Sequence, residues 1–258
     1  MSQLESAKID PGRAKEKNSF LNRREQKELR SIVGKLNWAA QGTRPDMAFD
    51  VVELSSHFQE GKVSDLIRAN KDILKLKQCN SSRIMFPVLG SLNRWRIVVF
   101  ADAALANMSD GVSSAGGHVI FLAGLGNKCA VIAWSCAKIK RVVRSTLAAE
   151  MLSLSEALDH AIYLRHVLRE ITGYEGIKIE AFTDNLSVEE ALLSTKCVDD
   201  KRLRIDVGAV KQMIADGTIE NVKWIPGSLM IANTLTKRGA SCFDILEVIQ
   251  RGQFSMLV

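Results

Sequence analysis

Five short apolar runs are split three and two by one long helical stripe, and that split limits the fold more than anything else in the chain. Residues 96–101 (Arg96-Ile97-Val98-Val99-Phe100-Ala101), 118–122 and 130–134 follow one another with only glycine-bearing turns between them, around Gly111 and Gly124–Gly126. Runs this short, rich in β-branched and aromatic residues, read as strands, and turns of this kind join them as an antiparallel meander. Leu147, Met151, Leu154, Leu158, Ile162 and Leu168 then recur at helical spacing from near Ser145 until Gly173 stops the helix. Residues 177–182 and 221–225 read as strands four and five, with helices expected at 186–195 and about 202–216 between them and a last one at about 241–251. A strand reached through a long helix can lie parallel to the first strand. The expected fold is α/β: a mixed five-stranded sheet with flanking helices, preceded by a small all-helical segment.

The helical segment shows the same periodicity in a different place. Leu29, Ile32, Val33, Leu36 and Ala40 form one apolar face, which Gly42 ends. Thr43-Arg44-Pro45 starts a second helix carrying Met47, Val51, Val52, Leu54 and Phe58, with Pro45 suited to a first helical position. Ser64 is expected to cap a third, with Leu66, Ile67, Ile73, Leu74 and Leu76 facing inward. Residues 1–20 are rich in Lys, Glu, Ser and Gly and read as a disordered tail. The expected organisation is therefore a tail at 1–20, a helical segment at 21–90, the sheet domain at 91–240 and a C-terminal helix and tail at 241–258.

At 258 residues and 47% hydrophobic residues, the chain can bury a sizeable core. Its 35 Lys+Arg against 29 Asp+Glu give +6, which fits a polyanion partner without requiring one. Cysteines 79, 129, 136, 197 and 242 form no C-x-x-C pair and no zinc spacing with histidines 57, 118, 160 and 166. That pattern suggests reduced thiols and an intracellular, non-secreted protein, either cytoplasmic or nuclear. The polar N-terminus lacks a signal-peptide core, and no apolar run approaches the ~18 residues of a membrane span.

Two acids stand at strand ends. Asp102 follows the first strand and Asp184 the fourth. If those strands are parallel neighbours, both acids lie at the sheet edge where open α/β sheets bind ligands. Glu150 lies in the second turn of the long helix, on the side of Leu147, Met151 and Leu154, and reaches the same spot. Three carboxylates that close repel unless cations neutralise them, and an all-oxygen set favours Mg²⁺ or Mn²⁺. Two such ions can clamp the attacking water and leaving oxygen of a phosphodiester. Each acid taken singly also has an ordinary reading: Asp184 as a helix cap, Glu150 as a solvated helix residue.

Other positions carry weaker signals. Lys138, Lys140, Arg141 and Arg144 precede the Glu150 helix and suit phosphate contacts, or simply a solvated turn. Ser145 and Asn185 are candidates to bond a nucleic-acid backbone, though capping is their commoner role. Trp134 and Trp224 are expected in the core, and no histidine is given a catalytic role.

Five phrases, in order, resemble one family. They are Arg30 to Leu36 with Thr43 to Ala48; Asp102 to Asn107 with Ser113 to Phe121; and Trp134-Ser135 followed by Ser145 to Glu150. The last two are Thr183-Asp184-Asn185 and Ala232 to Lys237. Together they resemble the C-terminal part of the Pol polyprotein of copia-type LTR retrotransposons, a reverse transcriptase connection or thumb remnant plus an RNase H domain. The resemblance implies an RNase H fold and Mg²⁺-dependent endonucleolytic cutting of the RNA strand of an RNA–DNA hybrid, leaving 3′-hydroxyl and 5′-phosphate ends. It implies Asp102, Glu150 and Asp184 as metal ligands for two Mg²⁺ or Mn²⁺ ions, and a polymerase core of the same polyprotein as partner. The family's fourth catalytic acid falls on Asn233, whose amide neutralises no charge, so weakened cleavage is expected. No Tyr-x-Asp-Asp polymerase motif is present, so no polymerase activity is expected, and the chain reads as a fragment or truncated copy. The alternative is an inactive RNase H-fold module that binds nucleic acid or a polymerase partner.

Overall fold

A computed structural model describes residues 4–78, 82–241 and 243–255, the side chain of Phe243 excepted. Two of the five cysteines, Cys79 and Cys242, lie outside the described residues. The chain divides into two compact units, residues 1–83 and 84–258.

In the first unit α1 (Arg23–Gly42) is launched by a capping box: Asn22 accepts from the Arg24 and Glu25 N–H groups while Glu25 bonds back to the Asn22 N–H. A 3₁₀ turn (Pro45–Met47) runs into α2 (Ala48–Ser56), and α3 (Val63–Gln78) follows. Leu29, Ile32, Val33 and Leu36 of α1 pack on Met47, Val51 and Leu54 and on Leu66, Ile73 and Leu76. Three expectations change. Leu74 is 53% exposed, because it falls one residue off the buried Ile73 and Leu76 stripe. Ser64 already lies inside α3; the side chain of Asp65 instead reaches back to the Lys62 N–H. Residues 4–20, expected as a disordered tail, are tied down: Asn70 bonds both backbone groups of Ala7, Arg13 pairs with Glu25, and Phe20 bridges Lys62.

The second unit is one sheet with helices on it. The strands are β1 (Arg96–Ala104), β2 (Ala115–Ala123), β3 (Cys129–Lys138), β4 (Lys178–Thr183) and β5 (Asn221–Trp224), in the order β3-β2-β1-β4-β5. β1, β2 and β3 are antiparallel neighbours; β1, β4 and β5 run parallel, as the helical crossovers require. The long α4 (Thr146–Thr172) is capped by Ser145 and closed by Gly173 at positive φ. α5 (Leu186–Leu193), α6 (Lys201–Ala215) and α7 (Phe243–Arg251) complete the unit. Ile97, Val99, Ile120 and Ala181 pack under Met151, Leu154 and Leu158 of α4. The opposite face stacks Phe100, Phe121, Phe182 and Phe254. This is the mixed five-stranded sheet with flanking helices expected from the sequence. No helix among the described residues is long and apolar enough to cross a membrane.

Candidate metal centre

Parallel pairing of β1 with β4 in register Phe100↔Phe182 brings Asp102 and Asp184 to one edge of the sheet. α4 crosses β1 and is pinned there by Ser153, whose hydroxyl donates to the Asp102 carbonyl at 2.9 Å. That contact sets Glu150, three residues earlier and one turn back, over the same edge. Asp102, Glu150 and Asp184 each present a carboxylate oxygen, all within 4.8 Å of one another. Asp102 and Glu150 are buried and Asp184 is half-buried. At an effective dielectric near 20, two unit charges at such a distance repel by about 3–4 kcal/mol.

The acids respond to that repulsion. Burial, with the charges of Asp102 and Asp184 added, pushes the Glu150 carboxyl up to about 9, against the pull of Lys237. Burial also raises Asp102, opposed by Lys237 and by the Thr236 hydrogen bond. Glu150 Oε2 is buried with no hydrogen-bond partner. A buried carboxylate oxygen costs free energy when left unpaired, and oxygens converging from three elements are what a hard divalent cation takes. The residues present therefore fit Mg²⁺ or Mn²⁺.

A segment far along the chain supplies the rest of the site. Thr236 donates its hydroxyl to Asp102 Oδ2, and the Lys237 ammonium lies 3.2 Å from Asp102 Oδ1. The same ammonium donates to Asn233 Oδ1, while the Asn233 amide nitrogen donates to the Gly227 carbonyl. The segment passes so close over β2 that a Cβ on Gly117, the register partner of Asp102, would sit 2.6 Å from Leu235 Cβ. Asn107 ties the β1–β2 turn to the segment: its amide donates to the Thr236 carbonyl at 2.6 Å and its oxygen accepts from Ala115.

Of the residues expected from sequence, Asp102, Glu150 and Asp184 converge, and Asn233 joins them through Lys237. Asp184 caps nothing; Asn185 caps α5 by accepting from Ser187, and Ser145 caps α4. Lys138 pairs with Asp110 and Arg141 with Asp206, both at 3.0 Å, while Lys140 and Arg144 are exposed. Arg141, Arg144, Lys201 and Arg202 line a cavity of about 320 Å³ beside the start of α4. Trp224, expected in the core, is 41% exposed and donates Nε1 to the Asp184 carbonyl, because β5 is the sheet's edge. His118 and His160 bond each other at 3.0 Å. Sequence reasoning gave Ser153, Asn107, Thr236 and Lys237 no role in the site, although Asn107, Thr236 and Lys237 lie inside phrases that carry the resemblance.

No family model matches the chain. It is 28% identical over 217 residues to the Retrovirus-related Pol polyprotein from transposon RE1 of Arabidopsis thaliana, covering 81% of this chain and 14% of that protein. It is 31% identical over 129 residues to a putative transposon Ty5-1 protein of Saccharomyces cerevisiae, covering 50% of this chain and 39% of that one. Among solved structures, the N-terminal RNase H domain of rv2228c from Mycobacterium tuberculosis is 21% identical. It covers 55% of this chain and 91% of that one, at a TM-score of 0.38. The fold itself rests on strand order and register. In sequence, the chain is similar to these transposon proteins, and it spans 14% of the length of the RE1 polyprotein and 39% of the Ty5-1 protein.

Proposed function

We propose that the chain is a metal-dependent ribonuclease that cuts the RNA strand of an RNA–DNA hybrid, leaving 3′-hydroxyl and 5′-phosphate ends. One observation carries the reading: three carboxylates from β1, α4 and β4 within 4.8 Å, one of them with a buried oxygen left unpartnered. Asp102, Glu150 and Asp184 would hold Mg²⁺ or Mn²⁺. The ion would polarise the scissile phosphodiester and make a bound water acidic enough to attack it. Thr236 and Ser153 hold Asp102 in place for this, one through its carboxylate and the other through its carbonyl. Lys138, Lys140, Arg141 and Arg144 give the hybrid backbone a basic path beside the acids, and Ser145 and Asn185 present the capped starts of α4 and α5 to it. The helical unit, residues 1–83, would be the part that faces the polymerase core of a longer polyprotein.

A second reading, an inactive hybrid-binding module, is favoured by one observation: the fourth acidic position of the family is an amide here, bonded to a lysine. Cleavage of a labelled hybrid in Mg²⁺ separates the two. Activity that falls by at least about a hundredfold in Asp102→Asn supports the ribonuclease, since even outer-shell changes at metal sites cost 10–100-fold. Binding of the hybrid without cleavage by the unaltered chain supports the module instead.

A further inference from the structure

The three acids are held in place by different means. Asp102 has its carboxylate bonded by Thr236 and Lys237, and Glu150 stands on the long α4, pinned by Ser153. Asp184 sits half-buried in the turn between β4 and α5, and no hydrogen bond reaches its carboxylate among the described residues. What fixes it comes from β5 and the segment leaving that strand. The Trp224 indole N–H donates to the Asp184 carbonyl at 3.1 Å, and the Trp224 backbone N–H donates to Glu189 Oε1 at 3.0 Å. Glu189 lies on α5, so Trp224 joins Asp184 to the helix that follows it. Burial does not account for a tryptophan at this edge, since Trp224 is 41% exposed. Just beyond the strand, Asp184 Oδ2 lies so near Gly227 that a Cβ would stand 3.2 Å from it. Gly227 has no positive φ, so a side chain there would disturb space and not backbone conformation.

We infer that Trp224 is the positioning residue of Asp184 and that Gly227 leaves the space its carboxylate occupies, a role that rests on the metal-site reading above but not on cleavage. Trp224 bonds the backbone of Asp184, so both carboxylate oxygens stay available to a cation. The indole acts through Asp184: it fixes the peptide from which that ligand projects. Mg²⁺ demands near-ideal octahedral geometry, so a ligand whose peptide drifts is a weaker ligand. Removing a group that orients a metal ligand costs about 10–100-fold in affinity. The same kind of bond occurs elsewhere in the unit. Trp95 donates its Nε1–H to the Gly90 carbonyl at 3.2 Å, ahead of β1, whereas Asp102 lies near the other end of that strand. Trp95 is therefore an internal standard for the loss of an indole bond that carries no metal ligand.

Mn²⁺ affinity of the whole chain, measured by calorimetry, tests this without reference to catalysis. Trp224→Phe keeps a ring and removes the N–H, and it should weaken Mn²⁺ binding by about tenfold, the lower end for an orienting group. Trp95→Phe should leave the affinity unchanged. Gly227→Ala should also weaken binding, because its Cβ presses on Asp184 Oδ2. Unchanged affinity in Trp224→Phe would overturn the inference, as would an equal loss in Trp95→Phe; unchanged affinity in Gly227→Ala would overturn the part given to Gly227. The unaltered chain supplies a readout that needs no variant to fold. With its tryptophans labelled with ¹⁵N, saturating Mg²⁺ should move the Trp224 indole resonance and leave that of Trp95 in place, and an unmoved Trp224 signal would contradict the role. Failure of the unaltered chain to bind Mn²⁺ would overturn the metal-site reading and the inference with it, whereas binding that ignores Trp224 overturns the inference alone.

Discussion

Asp46 in the helical unit and Glu150 in the sheet unit are both buried carboxylates, and the two are partnered in opposite ways. In the helical unit the Asp46 side chain is fully buried, and the Arg44 guanidinium meets both its oxygens at 2.7 Å. Arg44 is further satisfied by the Leu76 carbonyl at 3.2 Å. That carboxylate is complete within the protein. In the sheet unit Glu150 is also buried, yet one oxygen has no hydrogen-bond partner and the charges of Asp102 and Asp184 act on it against the pull of Lys237. A protein gains nothing in stability from such an arrangement, so its persistence points to a ligand. What separates Glu150 from Asp46 is therefore its unbonded oxygen together with the two acids that converge on it, not its depth.

The contrast breaks first at Asp46. Asp46→Asn should destabilise the helical unit by roughly 3–5 kcal/mol, since it strands a buried guanidinium. Urea denaturation followed by circular dichroism measures this, and a loss below about 1 kcal/mol would mean the pair is replaceable.

A third buried polar group gives a smaller and pH-dependent effect. His118 lies under α4 against His160, and burial, helped by the proximity of His160, lowers it from 6.5 to about 4. The unfolded chain therefore takes up this proton first as pH falls. Stability is untouched above about pH 6.5 and is lost progressively from there down to about pH 4, by roughly 3 kcal/mol in all. His118→Leu should flatten that part of the stability profile; an unchanged slope would remove the assignment.

Much of this was legible in the sequence, and the parts that were not share a cause. The strand at 96–104 announces itself because a doubly covered central strand is nearly all apolar, and the acid near its end stands out against that background. Ser145 and Gly173 mark the ends of α4 because caps are local chemistry. Thr236 and Lys237 gave no such signal. Their partner Asp102 is more than 130 residues away, and the close pass over Gly117 and the Asn107 bond to Thr236 bring them together. Leu74 misled because a helical stripe one residue wider than the real one looks the same in sequence. The tail was misread because its anchors, Ala7 to Asn70 and Phe20 to Lys62, are likewise long-range.

The account turns on the claim that the three acids together hold a divalent cation. Thermal unfolding of the unaltered chain and of Glu150→Gln, with and without Mg²⁺, tests it without reference to catalysis. The account predicts that Glu150→Gln raises metal-free stability by about 1–2 kcal/mol, because an unpaired buried acid is removed. It predicts that Mg²⁺ stabilises the unaltered chain by about 2.7 kcal/mol at a hundred times its dissociation constant, and the variant far less. Equal Mg²⁺ stabilisation of both proteins, or none of the unaltered chain at any concentration, would contradict it.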